Sequence, residues 1–209
     1  MTPTVAPEDV GALWLQTLQR AIGRASHDVK DALNGVSVNL EVIRSRAARP
    51  DTHASAVMQF ASAAGQQLDR LTTLIEAVLG LSRVSRSPAD VAVTLRRVVT
   101  ICGASASSAD ASVTLVEDGR MHSTETCVHE DVVRLALLAP LLDLITGTDR
   151  AHPLSEVTCT LAHADDAVQV VIAAGGRRGT IPEGIAALLR GAGVRWTEGD
   201  DLSLAFPRA

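Results

Sequence analysis

The sequence predicts an α+β protein in which an N-terminal antiparallel helical hairpin, residues 1–87, dimerises into a four-helix bundle and an α/β domain, residues 88–209, follows. Two patterns indicate this division. Apolar residues recur at alternating steps of three and four in the first part, as in packed helices. In the second part, short runs rich in β-branched residues alternate with helical patterns. A chain of 209 residues with 46% hydrophobic content is long enough to bury a core in each part.

The first helix is predicted to begin near Pro7 and Glu8. Proline is tolerated at the first helical position, and an acid there opposes the positive end of the helix dipole. The helix runs to Arg49, and Pro50 ends it. Its apolar positions form one stripe, which we interpret as a bundle seam. The members of this stripe are Ile22, Val29, Leu33, Val36, Leu40 and Ile43.

The second helix is predicted to follow a cap at Asp51 or Thr52. It repeats the apolar spacing of the first helix. Its stripe consists of Val57, Ala61, Ala64, Leu68, Leu71, Ile75 and Val78. A single hairpin leaves much of both stripes exposed, whereas two hairpins packed together cover them. We therefore expect a homodimer.

After the hairpin, residues 82–90 are expected to be a linker, because Pro88 ends helical continuity. The remaining pattern predicts three helices and four strands. The helices are 91–102, 130–146, with a kink at Pro140, and 182–191; the strands are 112–117, 156–162, 167–174 and 202–206.

Composition argues against several classes of protein. A formal net charge of -5 does not favour binding to nucleic acid, which requires a basic surface. The three cysteines, Cys102, Cys127 and Cys159, form no CxxC pair, which fits a reduced cytoplasm. No run of eighteen apolar residues occurs, and the N-terminus does not read as a signal peptide. We expect a cytoplasmic protein without a membrane partner.

His27 is the residue of greatest chemical interest in the hairpin. An exposed neutral imidazole can attack phosphorus, and the resulting phosphoramidate can pass the group to a carboxylate. We expect Asp28 to accept a hydrogen bond from one ring nitrogen, while Arg24 and Lys30 balance the phosphoryl charge. Residues three and four apart share a helix face. The polar stripe that includes His27 therefore contains Arg20, Arg24, Lys30, Asp31 and Asn34. The alternative is a solvated surface histidine, which needs no chemical role.

The run His27-Asp28-Val29-Lys30-Asp31 resembles the H-box of bacterial histidine kinases. The second helix, with AGQQLDRLTTLIEAVLGLSRVSR, resembles the second helix of the same dimerisation and phosphotransfer domain. The resemblance implies that His27 is the phospho-acceptor and that Asp28, Lys30 and Asp31 act with it. Asp31 stands where these kinases usually have the Asn or Thr associated with dephosphorylating the partner, and Ala32 replaces a common proline.

The remainder of the chain resembles the ATP-binding domain of these kinases in outline but lacks its chemistry. Residues 131–148 hold no asparagine, and the chain has only Asn34 and Asn39. Ala173 and Ala174 stand where an adenine-reading acid is expected, and a glycine-rich lid is absent. We therefore predict a degenerate histidine-kinase-like α/β sandwich domain without a nucleotide site. Two interpretations of its arginine-containing loop stay open, an anion nest and plain solvated charge. The loop residues concerned are Gly175, Gly176, Arg177, Arg178 and Gly179.

A dimer of this kind resembles the histidine phosphotransferases of two-component phosphorelays. The resemblance implies that His27 carries a phosphoryl group between receiver-domain aspartates, with Arg20, Arg24 and Asn34 contacting the partner. The expected partners are response regulator receivers, or a hybrid histidine kinase, and the Mg²⁺ belongs to the receiver, so this chain needs no cofactor. The alternatives are a dimeric pseudokinase-like scaffold without phosphotransfer and an active kinase with an unusual nucleotide site. Motifs for a hydrolase or a structural zinc site are lacking.

Overall fold

The computed structural model describes residues 7–50, 53–83, 88–107, 111–117, 119, 123–147, 154–164 and 166–209. Two long helices are followed by a part in which helices and strands alternate. In chain order the elements are α1 (Pro7–Ala47), α2 (Ser55–Ser82), β1 (Ala89–Asp90), α3 (Val91–Ser107), β2 (Ser112–Glu117), β3 (Glu125–Thr126), α4 (Glu130–Thr146), β4 (Glu156–His163), β5 (Ala167–Ala173), α5 (Glu183–Gly191), β6 (Arg195–Thr197) and β7 (Asp201–Pro207).

Helices α1 and α2 form an antiparallel hairpin. Near its turn, Arg46 Nη1 donates a 3.0 Å hydrogen bond to the carbonyl oxygen of Ala56. Further from the turn, Gly35 lies against the side chain of Gln67. Several small side chains of the two helices are buried, and small side chains allow packed backbones to approach closely. Those that are buried are Ala21, Ala25, Ala32, Ala64 and Ala77.

The α/β part contains a five-stranded sheet with the order β2-β4-β5-β7-β6. Strand β2 runs parallel to β4, and the other neighbours are antiparallel. Strands β1 and β3 form a separate antiparallel pair, which a hydrogen bond from Thr126 Oγ1 to the carbonyl oxygen of Pro207 joins to β7. Along β7, Leu202, Leu204 and Phe206 alternate into the core, as a strand with one buried face requires.

One continuous apolar core joins the α/β part to one end of the hairpin. Helix α4 is buried around almost its whole circumference, and it contacts α1, α3 and α5. A helix that is apolar on all sides must be covered on all sides. Trp14 and Leu18 of α1 and Leu74 and Leu81 of α2 belong to the same buried cluster. The hairpin end that carries these residues is therefore packed against α3 and α4.

The predicted helical hairpin and α/β part are confirmed, and strand 112–117 has the predicted bounds. Helix α4 continues through Pro140. Strands β1, β3 and β6 were not predicted, because segments of two or three residues are too short to show a periodic pattern. Helix α2 begins at Ser55; the proposed cap residues Asp51 and Thr52, and residues 84–87 at the predicted domain boundary, lie outside the described residues. Among the described helices, none is both long and apolar enough to cross a membrane.

Candidate functional site

His27 lies on the outer face of α1, and its side chain is 69% exposed. Its ring nitrogen Nδ1 is 2.9 Å from Oδ2 of Asp31, one helical turn further along. Residues four apart on a helix are neighbours, so the helix itself sets this contact. With the proton of the neutral ring on Nδ1, the lone pair that can act as a nucleophile is on Nε2.

The neighbouring carboxylate, Asp28, makes a different contact from the one the sequence led us to expect. Its Oδ2 is 2.6 Å from Nη2 of Arg70 in α2, and its side chain is only 9% exposed. The expectation that Asp28 accepts a hydrogen bond from the imidazole is therefore wrong, and Asp31 makes that contact. The reason is geometric, because adjacent residues on a helix point about 100° apart whereas residues four apart share a face.

Arg70 is a site residue that the sequence reasoning missed. It lies across the hairpin from Asp28, and its side chain is about half exposed. The hairpin register narrows the search for it without giving the pair. In the contacts of Arg46 with Ala56 and of Gly35 with Gln67 the residue numbers sum to 102, which places residue 74 opposite Asp28. Arg70 lies about one helical turn from that position and reaches Asp28 with its long side chain.

The other predicted site residues are spread along the same helix. Arg24, Lys30 and Asn34 are exposed, and within the described part of the chain neither Arg24 nor Lys30 forms an ion pair. Arg20 lies about two helical turns before His27. Its Nη2 is 3.1 Å from Oδ1 of Asp143 in α4. Arg20 therefore connects the His27 face to the α/β part.

In the α/β part, residues from the segments 140–147 and 176–180 line an open cleft of about 440 Å³. Arg177 Nη1 donates hydrogen bonds of 2.8 Å and 3.0 Å to the carbonyl oxygens of Leu144 and Gly147. A guanidinium at this position satisfies the carbonyls left over at the end of α4. Gly175 and Gly176 have positive φ angles, of 47° and 96°, so the turn preceding Arg177 uses backbone conformations that favour glycine.

This geometry bears on the two interpretations of the loop. Arg177 holds the end of α4, so an anion at this loop competes with those carbonyls for its guanidinium. The cleft wall contributed by α4 consists of Pro140, Asp143 and Leu144, which supply no amide side chain. Among the described residues, no three His, Cys, Asp or Glu side chains form a group that can hold a metal ion.

The buried cysteines are poor candidates for nucleophiles. Burial raises the pKa of the Cys159 thiol to about 12 and raises the pKa of the Cys102 thiol as well. At neutral pH both groups stay protonated, and the thiolate is the nucleophilic form. Cys127 is exposed.

No known protein family matches the sequence, and no curated protein matches it. Solved structures do match. A bacterial phosphotransferase is similar with 15% identity and a TM-score of 0.42, covering 98% of each chain. The histidine kinase AdeS of Acinetobacter baumannii is similar with 12% identity and a TM-score of 0.42, covering 87% of this chain and 97% of that chain. The kinase domain of the blue-light activated histidine kinase EL346 of Erythrobacter litoralis is similar with 16% identity and a TM-score of 0.41, covering 90% of this chain and 94% of that chain.

Proposed function

We propose that this chain is a histidine phosphotransferase of a two-component phosphorelay, carrying a phosphoryl group on His27 between receiver-domain aspartates. The observation that carries the proposal is the exposed imidazole of His27 with its Nδ1 at 2.9 Å from Asp31. A ring held in this way presents Nε2 to a partner without any movement of the hairpin. Such a group needs no nucleotide, because the aspartyl phosphate of a receiver is already a reactive donor.

The chemistry consists of two displacements at phosphorus. In the first, the Nε2 lone pair forms an N–P bond while the P–O bond to the donor aspartate breaks, and that electron pair remains on the aspartate carboxylate. In the second, a carboxylate oxygen of the acceptor receiver forms a P–O bond while the N–P bond breaks. No oxidant or other co-reactant is required. The Mg²⁺ that neutralises the phosphoryl oxygens is proposed to belong to the receiver, and this chain is proposed to need no cofactor.

Three cations near His27 support a role in handling phosphate. Arg24 and Lys30 are exposed and lie three residues before and after His27 on α1, and Arg70 is paired with Asp28, the residue that follows His27. The transferring group carries negative charge on its equatorial oxygens, which cationic donors stabilise. We propose these residues, with Arg20 and Asn34, as the surface that meets the receiver.

A homodimer is part of the proposal. The apolar face formed by the predicted stripes of the two hairpin helices carries side chains that are exposed in the single chain. They are Ile22, Leu33 and Leu40 on α1 and Leu68 and Ile75 on α2. A second copy packed along this face converts the hairpin into a four-helix bundle and removes the apolar stripes from water.

The α/β part is proposed to serve as a docking surface. Through the Arg20–Asp143 contact it lies beside the face that carries His27. A receiver that reaches His27 therefore has α4 within range. A hybrid histidine kinase is one proposed source of the phosphoryl group.

The test is phosphoryl transfer from radiolabelled receiver domains to the wild type, to His27→Ala and to His53→Ala. His53 is an exposed histidine at the hairpin turn and serves as the matched control. Label that is acid-labile and base-stable on the wild type and on His53→Ala, and absent from His27→Ala, is the expected result. If a receiver binds directly and no label moves, the protein is instead a dimeric adaptor without phosphotransfer.

A further inference from the structure

We propose that Asp31 is the positioning residue that fixes the tautomer of His27, keeping the ring proton on Nδ1 and the nucleophilic lone pair on Nε2. The inference deepens the proposed function and takes its chemical meaning from it. It assigns this role to Asp31 and not to Asp28, the acidic residue that follows the histidine in the sequence.

The contacts of the two carboxylates separate their roles. Asp31 Oδ2 is 2.9 Å from His27 Nδ1, within hydrogen-bonding distance, on the same face of α1. Asp28 is turned toward α2, where Nη2 of Arg70 donates a 2.6 Å hydrogen bond to its Oδ2, and only 9% of its side chain is exposed. To reach the imidazole, Asp28 has to leave a charge-assisted hydrogen bond, whereas Asp31 is already in place.

A carboxylate at Nδ1 matters because the ring becomes charged during transfer. When the Nε2 lone pair forms the N–P bond, the electron pair of the breaking P–O bond leaves with the donor aspartate. The proton on Nδ1 stays between the ring and Asp31, so the phosphorylated ring is an imidazolium beside a carboxylate. In the return transfer the N–P electron pair goes back to Nε2, and the ring is neutral again with its proton still on Nδ1. The ion pair favours the charged form of the ring without placing a negative charge on the phosphorus side.

The first measurement needs no phosphorylation. Long-range ¹H–¹⁵N spectra of ¹⁵N-histidine protein, recorded at a pH where the ring is neutral, report which nitrogen carries the proton. The His27 signals are identified by their loss in His27→Ala. We expect the Nδ1–H form in the wild type, a shift to the Nε2–H form in Asp31→Ala, and no change in Asp28→Ala. An Nε2–H wild type, or a shift in Asp28→Ala in place of Asp31→Ala, overturns the proposal.

The second measurement separates this inference from the proposed function. Asp31→Asn keeps an oxygen that can accept from Nδ1 but removes its charge, so it should retain the Nδ1–H form and accept phosphoryl groups about tenfold more slowly. A rate equal to the wild type contradicts the role of the charge. If the tautomer follows Asp31 as expected and the wild type accepts no label from a bound receiver, the positioning role stands and phosphotransfer fails. Asp31 is largely exposed, so these variants leave the core intact.

Discussion

The guanidinium of Arg134 in α4 donates a 2.7 Å hydrogen bond from Nη2 to the backbone carbonyl of Arg83, the residue that follows α2. The same guanidinium contacts the carboxylates of Glu130 and Asp131 and lies over the ring of Trp14 in α1. Its side chain is 3% exposed. One buried cation thus joins both hairpin helices to the start of α4, at the end of the hairpin that shares its core with the α/β part.

Replacing this cation is expected to be costly. Arg134→Met leaves the largely buried carboxylate of Glu130 and the carbonyl of Arg83 without their partner, so the free energy of unfolding should fall by about 3 kcal/mol. Urea unfolding followed by circular dichroism measures the loss. The control is Arg195→Met, whose ion pair with Asp166 is solvent-exposed and should contribute less than about 1 kcal/mol. If the free energy of unfolding falls equally in the two variants, the contacts of Arg134 do not have the proposed stabilising role.

The proposed dimer predicts different effects for two exposed apolar residues on α1. Leu40 is 54% exposed and belongs to the apolar stripe, whereas Val38 is 63% exposed and lies off it. Leu40→Glu places a charge in the proposed interface and should weaken association by at least about tenfold. Val38→Glu should leave association unchanged. Size-exclusion chromatography with light scattering, repeated over a dilution series, measures the mass of the particle in solution. If the wild type is monomeric at every concentration, the dimeric four-helix bundle is ruled out.

The cations beside His27 predict an electrostatic effect on transfer. The double variant Arg24→Glu with Lys30→Glu reverses two exposed charges and should slow loading by a receiver about tenfold at low salt, with a smaller effect at high salt. The dimer should stay intact, because both residues lie outside the apolar stripe. Arg190→Glu with Arg195→Glu makes the same change in net charge on the α/β part and is the control. Equal slowing in both double variants points to net charge, and no slowing in either contradicts the proposed contact.

Alkaline pH is expected to destabilise the fold through the buried thiols. The pKa of Cys159 is raised to about 12 by burial, above its value of about 8.5 in an unfolded chain. Its contribution to stability is therefore complete below about pH 8.5 and is lost between that pH and about 12. The chain has no tyrosine and Lys30 is its only lysine, so few other groups titrate in this window.

Urea unfolding at about pH 8 and about pH 10 tests this expectation, because one such thiol contributes a slope of about 1.4 kcal/mol per pH unit. Between these two pH values, the free energy of unfolding of Cys159→Ala should fall by about 2 kcal/mol less than that of the wild type. Cys127→Ala removes an exposed thiol and should behave as the wild type. Parallel losses in wild type and Cys159→Ala contradict the assignment.

Much of this protein follows from local patterns in its sequence. The heptad spacing of Leu33, Leu40, Leu68 and Ile75 predicts two long helices, and α1 and α2 are found there. The alternation in SVTLVE predicts β2 with its correct bounds. Exposure of His27 follows from its place outside the apolar stripe. Each of these features depends on residues within a few positions of one another, where helix and strand periodicities act.

Tertiary structure decided the remaining features, because they depend on residues far apart in the chain. The partner of Asp28 is Arg70, which only the packing of α2 on α1 brings close, and this contact leaves Asp31 as the carboxylate at the imidazole. Arg134 reaches Arg83 only because the hairpin end shares a core with α4. Local spacing limits which side chains can meet along one helix, but the pairing of charges between elements depends on how those elements pack together.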